Sequence, residues 1–279
     1  MVILKILAIL LNVPHIFIKS YRWNFLLRLQ NIHYRFTKSF FIYMSGLFFS
    51  FITPGRLGEF IKVLYLKFDK GINLSLGLTS VLLDRLFDLV LLIFLAFLGI
   101  WYLGILEIFF IQGFLSLSVI IVLFIILFDR ESIEKTIRLL YNFSFVEKYK
   151  NHINEGFNDF YDAFYSLINL KLFYALVLTC LSYFVLVLQA YLLTIAIQEQ
   201  ISFMNVCFFM AISSLITFIP ISISGLGTRD AILIYLFSII NIPKENAVVF
   251  SLLIFITFYV NGGLLGAICF NINPIKLEK

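Results

Sequence analysis

Two short stretches of this sequence set arginine, a carboxylate and glycine side by side within almost wholly apolar surroundings: Pro54-Gly55-Arg56-Leu57-Gly58-Glu59 and Gly225-Leu226-Gly227-Thr228-Arg229-Asp230. A guanidinium fork matches two oxygens of a phosphate at once. The free N–H groups at a helix start beyond each stretch also favour an anion. Arg56 and Arg229, with the backbone around Gly55, Gly58, Gly225, Gly227 and Thr228, therefore read as an anion site. The simpler alternative is that Arg56 with Glu59, and Arg229 with Asp230, only neutralise one another. A third set of charges is Asp84, Arg85 and Asp88. Asp84 and Asp88, four residues apart, share one helix face, with Arg85 about 100° away. Such a pair suits a proton relay, a cation site, counterions for Arg56 and Arg229, or an ion-pair network that fixes packing. Spacing alone leaves these open.

Other motifs point to less. Tyr21-Arg22-Trp23 follows an apolar run and reads as an interfacial anchor, with Trp at the headgroup level and Arg reaching for phosphates. Gly225-x-Gly227 lacks a preceding strand and a third glycine at the required offset, so dinucleotide binding is rejected. Cys180, Cys207 and Cys269 stand singly in apolar runs, and His15, His33 and His152 are scattered. No disulfide framework, metal site, cofactor or catalytic residue is expected.

The elements that must hold these charges are membrane helices. Of 279 residues, 62% are hydrophobic and 13% charged, with 34 Phe and a mean hydropathy of +1.02. A soluble domain is about 45–50% apolar and about 25% charged, so the excess must face lipid. The net charge of +5 does not indicate nucleic acid, because Lys19, Arg22, Arg28, Arg35 and Lys38 cluster at the end of an apolar run. The expected fold is an all-α integral membrane protein, a polytopic helical bundle forming a single membrane domain over residues 1–279. Spans are expected at 2–18, 74–103, 114–128, 172–197 and 247–270, and shorter apolar helices at 40–51, 60–68, 203–219 and 231–240. Within 129–171, Ile153, Phe157, Phe160, Phe164 and Ile168 recur at helical spacing opposite Glu155, Asp159 and Asp162, which predicts amphipathic helices on the cytoplasmic surface.

The two glycine-rich stretches each break a helix, and each sits between short helices followed by a turn and a full span. Residues about 40–103 and 203–270 thus read as two repeat halves. Three spans separate the breaks, so two re-entrant hairpins would enter from opposite faces as an inverted repeat, the way many transporters build a mid-membrane site. Segments 19–38, 62–70, 129–171 and 276–279 hold most of the Lys and Arg and are expected in the cytoplasm with the C-terminus. Because the breaks lie in lipid, the anion they would hold is a phosphate-bearing lipid headgroup.

Taken in order, Arg22-Trp23, Pro54 to Glu59, Leu82-Leu83-Asp84-Arg85-Leu86, Gln189, and Pro220 followed by Gly225 to Asp230 resemble the flippase-like family known as the lysylphosphatidylglycerol synthase transmembrane region. The resemblance covers nearly the whole chain. It implies a multi-pass cell-membrane protein that translocates a phospholipid or polyisoprenoid glycolipid between leaflets. Two departures bear on this: no aminoacyl-transferase domain accompanies the chain, so lipid aminoacylation is not expected, and no span precedes Arg22 beyond residues 2–18, which would put the N-terminus outside. The expected partners are a lipid substrate, a lipid- or glycan-modifying enzyme, and a second copy in a homo-oligomer. Alternatives are a secondary transporter of a small solute or ion, and a membrane enzyme or accessory subunit of a lipid-linked glycan pathway.

Overall fold

The computed structural model describes residues 1–105, 158, 162, 171–218, 222 and 224–275. The expected span 114–128, nearly all of the amphipathic segment 129–171, and Pro220 lie outside the described residues. The described part is all-helical. Among the described residues, four stretches are long and apolar enough to cross a membrane: Val2–Leu29, Leu74–Leu103, Leu172–Ala196 and Lys244–Ile272.

The first of these is two helices, α1 (Val2–Leu10) and α2 (Asn12–Leu29). Pro14 explains the joint, since it has no N–H for the Leu10 carbonyl and its ring crowds that turn. Near the joint, the buried Gln189 side chain donates to the Ala8 carbonyl (2.8 Å). The span expected to end at residue 18 in fact continues as helix to Leu29. Of its basic residues, Lys19 and Arg22 point inward to carboxylates, while Arg28 is exposed.

Helix α3 (Phe36–Ile52) stops before Pro54 with Thr53 extended, the conformation proline imposes on its predecessor. Thr53 then locks the turn, its hydroxyl donating to the Phe49 carbonyl (2.8 Å) and accepting from the Gly58 N–H (2.7 Å). Gly58 must be glycine because a Cβ there would overlap the Phe49 backbone. A 3-10 turn (Leu57–Phe60) leads into α4 (Ile61–Lys70), and α5 (Leu74–Leu103) follows.

Beyond the undescribed stretch come α6 (Leu172–Ala196), α7 (Phe203–Ile216) and α8 (Thr228–Ile239). The Asp230 carboxylate reaches back to accept from the Gly227 N–H (2.9 Å), as an acidic third residue does at a helix start. The last rod is α9 (Lys244–Ile254), a π-helical segment (Phe255–Val260) and α10 (Asn261–Ile272). Helix α10 lies against α3, with Gly263 and Gly266 letting the backbones close on Phe51 and Met44. Helix α5 packs on α7, where Gly99 meets Phe208, and α1 and α2 pack on α6. Outward faces carry Phe94, Phe97, Trp101, Phe173 and Phe184, the apolar surface that lipid requires.

The helix boundaries differ from expectation mostly by a turn. The two breaks are real interruptions of apolar helix, and they touch: the Ser224 hydroxyl donates to the Phe51 carbonyl across 2.7 Å.

Candidate functional site

Arg22 is the centre of the first charged region. It is fully buried and faces α5. Its Nε donates to Asp84 Oδ1 (2.9 Å), Nη1 to Asp88 Oδ1 (2.7 Å) and Thr179 Oγ1 (2.7 Å), and Nη2 to the Asp84 carbonyl (2.9 Å) with Asp84 Oδ1 at 2.8 Å. All three guanidinium nitrogens thereby have oxygen partners. The other carboxylate oxygens are taken as well. Lys19 Nζ lies 2.7 Å from Asp88 Oδ2, and Lys62 Nζ lies 3.3 Å from both Asp84 Oδ2 and Glu59 Oε2. Arg85 pairs with Glu59 Oε1. The result is a chain of alternating sign: Lys19, Asp88, Arg22, Asp84, Lys62, Glu59, Arg85. Lys62 is further held over the rings of Trp23 (5.2 Å) and Tyr43 (4.7 Å), an aromatic cage suited to an ammonium.

Arg56 and Arg229 behave differently. They come from the two breaks and meet at Tyr259, in the π-helical segment of the last rod. Arg56 Nη2 donates to the Tyr259 hydroxyl (2.9 Å), and the two guanidinium carbons lie 5.4 Å and 5.1 Å from the Tyr259 ring centre. A π-segment widens a helix by one residue per turn and recurs at functional sites. The Asn12 side chain donates to the Thr257 carbonyl here (3.2 Å). Among the described residues Arg56 has no carboxylate partner, because Glu59 is turned to Lys62 and Arg85. Its own backbone is left-handed, φ 57°, a conformation that costs a non-glycine residue energy.

Arg229 is 2% exposed. Its Nη2 donates to Asp230 Oδ1 (2.9 Å) and, at 3.4 Å, to Ser251, whose hydroxyl donates to Asp230. Its Nε and Nη1 have no hydrogen-bond partner. A buried charged donor without a partner is rare and needs an explanation.

The two arginines line a cavity of about 110 Å³ with Tyr259, His15, Lys19 and Glu59, closed on its apolar side by Leu47, Met210, Ile254 and Phe258. A second cavity of about 50 Å³ shares His15, Lys19 and Arg56 and has Asp88 in its wall. With a water occupying about 30 Å³ in the liquid, this is room for a few waters or a group the size of a phosphate. The His15 ring is 2.9 Å from the Ser182 carbonyl through Nδ1. A carbonyl only accepts, so Nδ1 carries a proton.

Several expectations are answered by this geometry. Asp84 and Asp88 are not counterions of Arg56 and Arg229. They belong to Arg22, Lys19 and Lys62, and the ion-pair network is the arrangement observed. Arg22 is not an interfacial anchor, since both it and Trp23 are fully buried. The suspected Arg56–Glu59 pair does not form, whereas Arg229–Asp230 does. Gly55, Gly58, Gly225, Gly227 and Thr228 shape the breaks and do not line the cavities. Gly225 and Gly227, at φ 74° and 79°, make the turn that delivers Arg229. The Thr228 hydroxyl bonds Ser222 (2.9 Å) and the Gly225 carbonyl (3.3 Å). Tyr259, His15, Lys19 and Lys62 were missed. His15, Lys19 and Arg22 recur at four and three residues, a one-face helical spacing that could have revealed them. Tyr259 had a weaker signal in the Asn261-Gly262-Gly263 run that follows it.

The family described as "Lysylphosphatidylglycerol synthase TM region" matches residues 1–266. The chain is similar to "UPF0104 membrane protein MJ1595" of Methanocaldococcus jannaschii, 27% identical over 296 aligned positions that cover 98% of this chain and 86% of that protein. It is also similar to "UPF0104 membrane protein MJ1078" of the same organism, 28% identical over 239 positions covering 84% of this chain and 97% of that one. No solved structure matches it.

Proposed function

The chain belongs to the lysylphosphatidylglycerol synthase TM region family, and from that premise we propose that it moves a phosphate-bearing lipid between leaflets by holding the headgroup on Arg56 and Arg229. The observation that carries the reading is the convergence of two arginines, from breaks far apart in sequence, on one tyrosine beside one cavity. Both retain donor capacity, and phosphate oxygens are the acceptors a guanidinium fork fits best. The cavity is lined by side chains from α2, α3, the first break, α8 and the last rod. A displacement of these elements against one another would expose it to one leaflet and then the other. This is an expected use of two inverted half-repeats, which remain part of the proposal. The protein is taken to act without chemistry on the lipid, in the cell membrane, with its C-terminus in the cytoplasm where the Lys- and Arg-rich segments concentrate.

The test is reconstitution into vesicles carrying a fluorescent phospholipid in both leaflets. Dithionite added outside bleaches only the outer leaflet of protein-free vesicles. With the protein present, the inner pool should become bleachable, and the Arg56→Gln/Arg229→Gln double variant should restore protection. An inner pool that stays protected with folded wild-type protein would overturn the reading and favour a small-solute transporter or an accessory subunit.

A further inference from the structure

Resting on the headgroup reading, we propose that the site selects a dianionic phosphate, a phosphomonoester or pyrophosphate lipid, over a singly charged phosphodiester. In the alternating chain, four cations meet three carboxylates, and every one of the six carboxylate oxygens already faces a cation. One positive charge is left over. The chain ends on Lys19 and Arg85, and Lys19 lines both cavities. Arg56 adds a second uncompensated charge at the same cavity, while Arg229 is balanced by Asp230. Among the described residues, then, the groups at this cavity and in the chain that reaches it carry a net charge of two that no carboxylate balances. A buried charge left without its counterion is strongly destabilising, so occupancy by a group of charge −2 is what neutralises the site.

The donors agree in kind. Arg229 Nε and Nη1 are buried and unpartnered, Arg56 spends one hydrogen bond on Tyr259, and Lys19 spends one of its three on Asp88. Three cations with spare N–H groups suit the three terminal oxygens of a phosphomonoester, whose charge near neutral pH is about −1.5 to −2. A phosphodiester offers two free oxygens and one charge, which leaves a cation unmatched. Free inorganic phosphate has the same chemistry as the dianionic headgroup and must be separated by experiment.

Native mass spectrometry on the purified protein at pH 8 provides the separation, with equal amounts of dioleoyl phosphatidic acid and dioleoyl phosphatidylglycerol, then with inorganic phosphate added. Phosphatidic acid should be retained over phosphatidylglycerol by about tenfold, the size of one charge-assisted interaction. Arg56→Gln, which removes one of the two spare charges, should bring the ratio close to one, and Arg56→Lys should preserve it. The wild-type ratio is informative even if a variant fails to fold. Equal retention of both lipids, still dependent on Arg56 and Arg229, would overturn the dianion inference and leave the headgroup site standing. Retention indifferent to both arginines would overturn both. Displacement of phosphatidic acid by inorganic phosphate at matching concentration would uphold the charge assignment and overturn the lipid as its source.

Discussion

Arg22 and Arg229 are the same side chain, each almost completely removed from solvent, in two regions that treat it in opposite ways. Around Arg22 every guanidinium nitrogen meets an oxygen, and every carboxylate oxygen of Asp84, Asp88 and Glu59 meets a cation. Around Arg229 two of three guanidinium nitrogens face no acceptor, and the neighbouring Arg56 has only a phenol. The lesson is that burial of charge does not by itself mark function. A closed network is how a bundle tolerates ions at membrane depth, while the unspent donors beside the cavity are the ones the proposed headgroup would satisfy.

The largest effect that would test this contrast is in the closed region. Arg22→Met leaves Asp84 Oδ1 and Asp88 Oδ1 buried without the donors that satisfy them, each carboxylate keeping one lysine, and breaking a buried pair in this way costs about 3–5 kcal/mol. Thermal unfolding of the detergent-solubilised protein should show a clear fall in midpoint, irrespective of added lipid. An unchanged midpoint would mean that the network is not what holds α2, α5 and α6 together. Arg56→Gln should act in the other direction. It removes an unbalanced charge, so the lipid-free protein should unfold no lower than wild type, and a functional site often trades stability for activity in this way. Headgroup retention should nonetheless drop about tenfold or more, as expected for a lost charge-assisted contact. A variant that unfolds early and binds normally would place Arg56 with Arg22, on the structural side.

How much of this was legible in the sequence follows from the kind of signal each region gives. The helical membrane class is carried by composition over the whole chain, and the two breaks by Pro and Gly within apolar runs, so both could be read directly. Arg56 and Arg229 stood out because they sit in those breaks. Their meeting at Tyr259 could not be read, because it depends on how the last rod packs against the first break. The π-helical segment that turns Tyr259 inward leaves no distinct composition in Phe255–Val260. Arg22 misled for a physical reason. Arg beside Trp at the end of an apolar run is ordinarily an interfacial anchor, and only the partners on α5 turn it inward. The same limit applied to Glu59, whose sequence neighbour Arg56 was the obvious partner until Lys62 and Arg85 proved to be nearer in space.

Tyr259 gives a smaller and more selective effect. Tyr259→Phe keeps the ring that both guanidiniums approach but removes the acceptor for Arg56 Nη2. A hydrogen bond to a charged group contributes about 1.5–3 kcal/mol net, and less where a replacement is at hand, as for Arg56, which borders a cavity that can hold water. Headgroup retention should therefore change only a few-fold, while the phosphatidic acid preference persists because the charge count is unaltered. If the preference vanished with the hydroxyl, geometry rather than charge would be setting selectivity.

The smallest expected effect lies outside both regions. Lys38 and Asp69 form a 2.9 Å ion pair with the lysine side chain 43% exposed. It stands beside the turn that carries Tyr34, whose phenol is pushed up from its ordinary range by burial and by the neighbouring Asp69. Exposed pairs of this kind contribute about 0–1 kcal/mol because water and salt screen them. Lys38→Ala should thus move the unfolding midpoint less than Arg22→Met by a wide margin and leave lipid retention untouched. The comparison rests on that ordering. If the exposed pair proved as costly to break as the buried network, pairing at any depth would stabilise this fold equally, and the unpaired state of Arg229 could no longer be read as room for a ligand.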